Sequence, residues 1–388
     1  MRDSIANASL EQKWAQGYPS HDLHRLKCHE TTRLTVNPPS NLEIQIKQAA
    51  HDAGFELAGI APLRKHHELN DFPEWVAAGR AGEMKYLEAR GDDGELKRAS
   101  PETTFPWARS VIVCAINYNT AQPYSTEVHD PQRGWISRYA WSREDYHDVV
   151  LRKLRTVEAD LLGIVGNAQL TARCYVDTGP LVERIFAKYA GVGWIGKNTC
   201  LINQKTGSWL FLGVILTSLE LAPDFPAPDR CGSCTRCIDA CPTDAIIAPY
   251  QLDSNKCISY LTIEKRGEIP EEMRAGIGQQ VYGCDICQDV CPWNRKAPAT
   301  AAEEFQPREG LVNPALAWLA EMSEEEFREK FRRSPIKRTK RTGLRRNAVI
   351  AMGSSGDSDF VPLLEGLVGD EDAIVADAAQ WALARLTK

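Results

Sequence analysis

The sequence predicts an α+β protein of several domains: a mixed α/β domain, a small cysteine-rich domain and an all-helical C-terminal domain. Three observations support this fold class. Helical and strand-like apolar patterns alternate over residues 41–222, eight of the twelve cysteines lie within 229–300, and only helical patterns follow residue 313. We place the domains at 41–228, 229–310 and 311–388, because a chain of 388 residues is long enough for two or three domains.

The first forty residues differ in composition from the rest of the chain. They are polar, end in Asn37-Pro38-Pro39-Ser40 and predict a disordered extension over 1–40. They contain no apolar core of an export signal, and no stretch of the chain approaches the ~20 apolar residues of a membrane helix. We therefore expect a cytoplasmic protein that contacts no membrane and, outside an oxidising compartment, has no disulfide framework.

The α/β domain is expected to begin with a helix that Ser40 caps, with Glu43 completing a capping box and Gly54 ending it. The continuous apolar run at 110–117 is rich in β-branched residues and predicts a buried strand. The other expected elements are strands at 55–60 and 172–176, helices at 146–162 and 181–190, and a hairpin formed by 201–203 and 208–217.

A glycine-rich loop from Gly191 to Asn198 matches two nucleotide-binding patterns. Its G-x-G-x-x-G spacing is typical of dinucleotide sites, and G-x-x-x-x-G-K is close to a phosphate-binding loop. Both patterns need a strand before the loop and a helix after it, whereas the order expected here is reversed. Neither NAD nor ATP is therefore predicted. The loop is either a tight turn or a place where the backbone closely approaches a large ligand.

After a proline-rich linker at 223–228, the cysteines fall into two runs. Cys231 to Pro242 reads C-x2-C-x2-C-x3-C-P, and Cys284 to Pro292 is the same run without its first cysteine. This spacing is typical of proteins with two 4Fe–4S clusters, in which the fourth cysteine of each run binds the other cluster. Cys257 is available as the missing ligand. The predicted ligand sets are Cys231, Cys234, Cys237 and Cys291 for one cluster, and Cys241, Cys257, Cys284 and Cys287 for the other.

Structural zinc is the alternative explanation for these runs. Zinc sites are typically built from two separated pairs of ligands, whereas four cysteines of the first run crowd into eleven residues. The remaining cysteines share no ligand spacing and are expected to be small buried hydrophobic residues: Cys28, Cys114, Cys174 and Cys200.

Three apolar helical stripes, at 344–352, 360–368 and 374–386, follow in the C-terminal region. Paired short helices resemble a HEAT-type repeat, and one such unit should pack on the rest of the protein because it cannot bury its own apolar face. The formal net charge of −6 argues against indiscriminate nucleic-acid binding. A basic run within 334–347 is nevertheless either a solvated helix face or a phosphate-binding surface for RNA: Lys337, Arg338, Lys340, Arg341, Arg345 and Arg346.

Several further motifs occur together with the cysteine runs and in a fixed order along the chain. They are 138–147, Asp177-Thr-Gly-Pro180, 191–198, Gly207-Ser-Trp209, 257–262 and Tyr282-Gly-Cys284. With these motifs the chain, over roughly residues 41–388, resembles the epoxyqueuosine reductase family of cobalamin- and iron–sulfur-dependent enzymes of tRNA modification. The resemblance implies a nitroreductase-like α/β domain that binds cobalamin, a ferredoxin-like domain with two 4Fe–4S clusters, and HEAT-like helices that help to bind tRNA.

The same resemblance implies that epoxyqueuosine is reduced to queuosine at the wobble position of tRNAs with GUN anticodons, those for Tyr, His, Asn and Asp. This is the last step of queuosine biosynthesis. The clusters would pass electrons to cobalamin, and a general acid would protonate the epoxide oxygen. The reaction needs an electron donor that the sequence does not identify, and we expect the enzyme to be a monomer.

The family's catalytic aspartate corresponds to Asp177, which we expect to be the acid, with a pKa raised by burial. Without the family, an aspartate before Thr-Gly-Pro is better explained as a turn residue. Asp145, Tyr146 and His147 are further candidates, for substrate contact or proton relay. The resemblance also implies the cobalamin contacts, which are Arg98, Arg138, Asp177, Gly196, Lys197, Asn198 and Ser208.

Two residues depart from the family pattern. Asp244 stands where the family has a glycine after Cys-Pro-Thr, and its charge would alter the potential of a nearby cluster. Glu144 is an additional residue before Asp145, which weakens the residue-by-residue correspondence over 138–147.

Three other classes of protein remain as alternatives. A reductive dehalogenase acting on a small molecule combines the same cofactors, but such enzymes typically carry a twin-arginine export signal, which Met1-Arg-Asp-Ser lacks. A ferredoxin-type electron-transfer protein would hold the clusters without cobalamin. A HEAT-type scaffold would hold clusters that do not cycle on reduction.

Overall fold

The computed structural model describes residues 41–166 and 170–388, and its elements lie largely where the apolar patterns predict them. The strands are β1 (Leu57–Pro62), β2 (Ser110–Asn117), β3 (Trp135–Ile136), β4 (Ala172–Tyr175), β5 (Trp194–Ile195), β6 (Leu201–Ile202), β7 (Leu210–Thr217), β8 (Ile246–Ala248), β9 (Gln251–Leu252) and β10 (Gln280–Tyr282). The helices are α1 (Asn41–Asp52), α2 (Phe72–Ala77), α3 (Pro101–Thr104), α4 (Tyr146–Val165), α5 (Glu183–Tyr189), α6 (Arg236–Asp239), α7 (Ile258–Ile263), α8 (Glu271–Ile277), α9 (Ile286–Asp289), α10 (Leu316–Glu321), α11 (Glu324–Lys330), α12 (Lys340–Ser355), α13 (Val361–Leu367) and α14 (Ala373–Leu386).

An antiparallel sheet in the order β1-β2-β7-β4 forms the centre of the α/β part. Its central strand β2 is buried at every position, as its apolar run predicts. Alternate residues of β2 face opposite sides of the sheet. Ile112 packs with α1 and α4 on one face, and Val113 packs with α5 on the other. The sheet is therefore covered by helices on both sides.

The hairpin expected across 201–217 is wrong. β6 pairs with β5, while β7 pairs with β2 and β4 in the central sheet. A single bridge between Asn203 and Gly207 closes the intervening turn. The apolar alternation of the two segments indicates strands, but it does not say which strands pair. The N-cap at Ser40 and the extension over 1–40 lie outside the described residues, whereas Gly54 ends α1 with a φ of 88°, as expected.

The cysteine-rich and helical regions pack closely against the α/β part, and the described residues form one compact unit. β10 pairs in parallel with β3, so a strand from the cysteine-rich region extends a segment that precedes α4. The expected linker is also fixed in place, because Asp224 accepts hydrogen bonds from Ile60 N (2.8 Å) and Lys47 Nζ (2.5 Å). The pairing of β3 with β10 and the hydrogen bond from Arg138 N to Asp285 Oδ2 (2.7 Å) place Arg138 beside the second cysteine run.

The C-terminal helices form a layer centred on α12, which is buried from Gly343 to Gly353. It packs against α14 and α10 on one side and against α8 and β10 on the other. The helices thus pack on the rest of the protein, as expected. Among residues 41–166 and 170–388, no helix combines the length and the apolar character needed to span a bilayer.

Replacing Arg346 by Ala is expected to destabilise the fold by roughly 3 kcal/mol. The Arg346 side chain is 1% exposed and donates hydrogen bonds to the carbonyls of Leu261 (2.9 Å), Lys265 (3.0 Å) and Gly267 (2.6 Å). Truncation leaves these buried acceptors without donors. Thermal unfolding followed by circular dichroism checks the effect, with the exposed Arg332→Ala as control. Equal unfolding temperatures for both variants would contradict this structural role.

Candidate functional site

The first four cysteines of the predicted sets share one cavity. Cys231, Cys234, Cys237 and Cys291 line a space of about 370 Å³ that Trp293 and Ile202 close on one side. Burial and the neighbouring thiols of Cys231 and Cys234 raise the pKa of Cys237 to about 11. Thiols crowded in this way lose their protons when they bind a metal centre, because the thiolate is the form of cysteine that binds metal. The cavity therefore suits a polynuclear cluster held by these cysteines.

The other four cysteines form a second, more enclosed group. Burial, together with the nearby thiols of Cys257 and Cys241, raises the pKa of Cys284 well above its usual range. Cys287 is adjacent to Cys284 and Cys257 as well. Cys257 lies at the N-cap of α7, which brings it to the place where the incomplete second run needs a ligand. The structure thus gathers the cysteines into the two groups that were predicted, and their role as cluster ligands stays a prediction.

Cys200 belongs to neither predicted set, yet it lies against the second group. Its thiol is close enough to that of Cys287 for the two to influence each other's pKa. Asn198 connects the two residues, since its Oδ1 accepts from Cys200 N (3.2 Å) while its Nδ2 donates to Cys287 O (3.3 Å). Cys200 was expected to be a small buried hydrophobic residue; it is partly buried and lies beside a predicted ligand, which its spacing did not indicate. Cys114 is fully buried in β2, in agreement with the same expectation.

The glycine-rich loop connects the two cysteine groups. Helix α5 precedes it, the short strand β5 lies within it and strand β6 follows it, so a helix comes before the loop and a strand after it, in the order opposite to that of a nucleotide-binding loop. Lys197 Nζ donates to the carbonyls of Gly232 (2.7 Å) and Cys234 (3.0 Å), and Asn198 binds the second run as described above. The loop thus holds the backbones of both runs.

Asp177 lies at the centre of a second feature, a group of acid–base side chains. It follows β4, has a φ of 57°, and its side chain is 71% exposed. Tyr146 donates its hydroxyl hydrogen to Asp177 Oδ2 (3.1 Å), and His147 Nε2 lies 3.7 Å from the same oxygen. Oδ1 of Asp145, the N-cap of α4, is hydrogen-bonded to Nδ1 of His147 (2.7 Å). The three candidates for proton relay are therefore gathered around Asp177.

Asp177 was expected to be protonated and neutral, but its surroundings favour the ionised carboxylate. The His147 imidazole, whose Nε2 lies 3.7 Å from Asp177 Oδ2, lowers the pKa of Asp177. Burial opposes the charged form of His147, but its hydrogen bond to Asp145 and the nearby carboxylate of Asp177 raise the pKa of His147 to about 9. The expected rise in the pKa of Asp177 is therefore wrong for this arrangement. At neutral pH the proton resides on His147, next to an ionised Asp177.

A basic patch adjoins the Asp177 loop. Arg98 donates to Gly179 O (2.9 Å) in that loop and to Tyr86 O (2.9 Å). Arg98 and Arg338 both lie over the Tyr86 ring, 5.5 and 5.4 Å from its centroid. The patch consists of the exposed residues Arg332, Arg333, Lys337, Arg338 and Lys340. Arg332 and Arg333 were not among the predicted residues, although they directly precede the basic run.

The C-terminal part of the basic run does not belong to this patch. Arg345 and Arg346 are buried, and Arg345 forms an ion pair with Asp370 (2.5 Å). Arg341 is half-buried and donates to Met322 O (2.8 Å). These arginines lie inside the helical layer, so the expectation that Arg345 and Arg346 contact phosphates is wrong.

Three of the residues expected to contact cobalamin use their side chains for hydrogen bonds inside the protein. Arg138 is 2% exposed and donates to the carbonyls of Thr120 and Pro123 (both 2.9 Å). Ser208 is buried and donates to Gln288 Oε1 (2.8 Å), and the Asn198 amide binds the second cysteine run. These three side chains are thus engaged within the protein, and their contact with a corrin stays a prediction. Gly196 is buried and presents only its backbone, whose N–H donates to Cys200 O (2.8 Å).

Both departures from the family pattern have a structural explanation. Asp244 has a φ of 50°, a conformation that glycine adopts freely and that aspartate tolerates better than most residues. Glu144 lies on the surface, where it forms an ion pair with Arg152 (3.2 Å) without displacing Asp145 from the N-cap of α4.

Comparison with known proteins agrees with both features. Residues 98–178 match the family model Epoxyqueuosine reductase QueG, DUF1730, and residues 230–294 match the 4Fe-4S double cluster binding domain. An epoxyqueuosine reductase from Xanthomonas campestris pv. campestris is 38% identical over 89% of this chain and 97% of its own length. One from Synechocystis is 44% identical over 75% of this chain and 98% of its own.

Solved structures give the same result. A crystal structure of epoxyqueuosine reductase with an epoxyqueuosine-modified tRNA-Tyr stem loop has a TM-score of 0.80 and 30% identity, covering 89% of this chain and 90% of the other. A Bacillus subtilis epoxyqueuosine reductase, solved with its catalytic aspartate loop swung out of the active site, has a TM-score of 0.78 and 30% identity over the same shares. Since these similarities extend over most of the sequence, the chain belongs to the epoxyqueuosine reductase family of oxidoreductases.

Proposed function

We propose that this enzyme reduces epoxyqueuosine to queuosine at the wobble position of tRNAs with GUN anticodons. The observation that carries the proposal is the group formed by Asp177, Tyr146 and His147, which opens to solvent beside a basic patch. A related structure holds an epoxyqueuosine-modified tRNA stem loop. The overall change is epoxide + 2 electrons + 2 protons → alkene + water. The site must therefore supply electrons, protons and a tRNA-binding surface.

The two cysteine groups are the proposed electron path. Cys231, Cys234, Cys237 and Cys291 would hold one 4Fe–4S cluster near the surface, where a donor can approach it. Cys241, Cys257, Cys284 and Cys287 would hold the second, in a more buried position. When bound, such clusters supply one-electron transfer. The proposed path runs inwards from the open cavity.

Cobalamin is proposed from the resemblance to the family, and the fit of the surrounding residues is partial. Arg98 and Asp177 lie together at the solvent-facing opening, and Lys197 is half-buried in the loop above the cysteines. These three side chains fit contacts at the edge of a corrin. When bound, the group would supply a strongly reducing cobalt centre at the opening.

Proton delivery is the proposed role of the Asp177 group. His147 carries a proton at neutral pH and contacts the carboxylate that faces the opening. Asp145 keeps the imidazole ring in place and stabilises its charge. Tyr146, stacked on Phe211 with ring centroids 4.4 Å apart, holds Asp177 from the other direction. Asp177 would thus receive a proton from His147 and donate it to the epoxide oxygen as the ring opens.

The exposed basic patch is the proposed contact for tRNA phosphates. It reaches the Asp177 loop through Tyr86 and Arg98, so a stem loop bound on the patch would have its anticodon at the opening. Sequence-specific readers of RNA typically hold unstacked loop bases in this way. We further propose that the enzyme is a cytoplasmic monomer with a nitroreductase-like, a ferredoxin-like and a HEAT-like region.

Replacing Lys337 and Lys340 together by Ala is expected to weaken stem-loop binding roughly tenfold at physiological salt. Both lysines are exposed, and neither forms an ion pair with another described residue. Each lost phosphate contact should lower the slope of log affinity against log salt concentration by about 0.7–0.9. Fluorescence anisotropy over a salt series measures both quantities. Lys205→Ala, at an exposed turn, is the matched control, and an unchanged slope in the double variant would contradict the proposed contact.

The function itself is tested with anaerobically reconstituted enzyme, a strong reductant and epoxyqueuosine-containing tRNA. After digestion, mass spectrometry should show the modified nucleoside lighter by one oxygen. Conversion only of a halogenated small molecule would favour the dehalogenase alternative. Clusters that exchange electrons with a partner while the nucleoside stays unchanged would favour an electron-transfer protein.

A further inference from the structure

Glu183 is a buried carboxyl group that the proposed proton delivery does not use. It is the first residue of α5, directly after the loop that carries Asp177. Its Oε1 is buried and has no hydrogen-bond partner among the described residues. A buried carboxylate without a partner is costly, so such a group calls for an explanation. In the sequence Glu183 looks like an ordinary acid in the first turn of a helix, which is why the pattern gives no signal for it.

Two arginines lie near Glu183, but their described hydrogen bonds go elsewhere. Arg98 donates to the carbonyls of Tyr86 and Gly179 (both 2.9 Å), and Arg184 donates to Thr199 O (2.5 Å). Asp177, in the preceding loop, is close enough for its charge to act on Glu183. The charged groups around Glu183 are therefore one carboxylate and two arginines that are held by backbone carbonyls.

These surroundings favour the protonated form of Glu183. Burial and then the charge of Asp177 raise the pKa of Glu183 to about 7, against the opposing effects of its own backbone N–H, Arg98 and Arg184. Asp177, in contrast, is ionised next to His147. Neighbouring carboxyl groups whose pKa values are pushed apart are a common arrangement for an acid and a base.

We propose that Glu183 holds the second proton of each turnover and passes it to Asp177. The inference rests on the proposed function, in which two protons are consumed and His147 supplies the first. The transfer is Glu183–COOH + Asp177–COO⁻ → Glu183–COO⁻ + Asp177–COOH, after which Asp177 protonates the departing oxygen a second time. Glu183 thus acts through Asp177, and solvent restores its proton between turnovers.

Infrared spectroscopy of the holoenzyme tests the proton store independently of activity. The pKa of Asp289 is also raised to about 7 by burial, so the spectra of the unmodified enzyme and of Glu183→Gln are subtracted at each pH to isolate the Glu183 band. The difference should contain the band of a protonated carboxyl group that disappears with a midpoint near pH 7, and Glu102→Gln, a control at an exposed glutamate of α3, should give no such difference. A difference spectrum without this band overturns the inference.

Single-turnover conversion of an epoxyqueuosine-modified stem loop tests the role in the reaction. The rate of the unmodified enzyme should fall about tenfold per pH unit above ~7. Glu183→Gln should be roughly tenfold slower below pH 7 and should lack this fall, whereas Glu183→Asp should keep it. Unmodified enzyme that converts nothing refutes the proposed function. A Glu183→Gln profile identical to that of the active unmodified enzyme refutes only the role of Glu183.

Discussion

Replacing Asp177 by Asn is expected to slow the conversion of epoxyqueuosine by about 10²–10⁴-fold. Asn has the size and the polar character of Asp but cannot donate a carboxyl proton to the opening epoxide. It also tolerates the φ of 57° at this position, so the backbone of the loop should keep its conformation. The rate of oxygen loss from the nucleoside, measured in a single turnover by mass spectrometry, checks the prediction.

The same variant should change His147 in a measurable way. With the Asp177 carboxylate removed, the pKa of His147 should fall from about 9 towards its ordinary value, since one of its two stabilising partners is lost. Nuclear magnetic resonance of the imidazole reports this shift. Asp148→Asn, at an exposed first-turn position of α4, is the control and should alter neither quantity. Full activity of Asp177→Asn would remove Asp177 from the role of acid.

The cysteine groups could be predicted from sequence because ligand spacing within a short run is a local property. Two runs with the same spacing, and the exchange of their fourth cysteines typical of two-cluster proteins, predict seven of the eight ligands, whereas Cys257 was chosen as an available cysteine that the family resemblance supports. The contact between Cys200 and Cys287 could not be predicted in this way. It depends on how the loop at 191–198 packs over a run more than eighty residues away, which Asn198 secures.

The basic run was predicted correctly only in its first part, since Lys337, Arg338 and Lys340 are exposed whereas Arg345 and Arg346 are buried. Its density indicates a charged surface, but density does not reveal which side of a helix faces solvent. Because α12 is surrounded by α10, α14, α8 and β10, Arg345 and Arg346 point into the layer and bind carbonyls and Asp370. The pKa of Asp177 was mispredicted for a related reason, since His147 is distant in sequence and only the fold places it beside the carboxylate.

Replacing Cys257 by Ala is expected to remove one 4Fe–4S cluster and about half of the bound iron, and with it nearly all turnover. The second group would retain three cysteines, and loss of one ligand interrupts the path between the open cavity and the Asp177 site. Iron analysis and electron paramagnetic resonance of the reduced, anaerobically reconstituted protein measure the loss. Cys114→Ala, at a buried cysteine of β2 outside both groups, should keep the full iron content.

Cys200→Ala makes the test of the ligand assignment decisive, because Cys200 is the ninth cysteine near the clusters. If Cys257 is the fourth ligand, Cys200→Ala should keep all the iron, since it removes only a thiol that contacts Cys287. The loss of that neighbouring thiol should then shift the potential of the second cluster without dismantling it, since polar groups around the cluster sulfurs tune its potential. Loss of iron from Cys200→Ala, with Cys257→Ala intact, would instead identify Cys200 as the ligand.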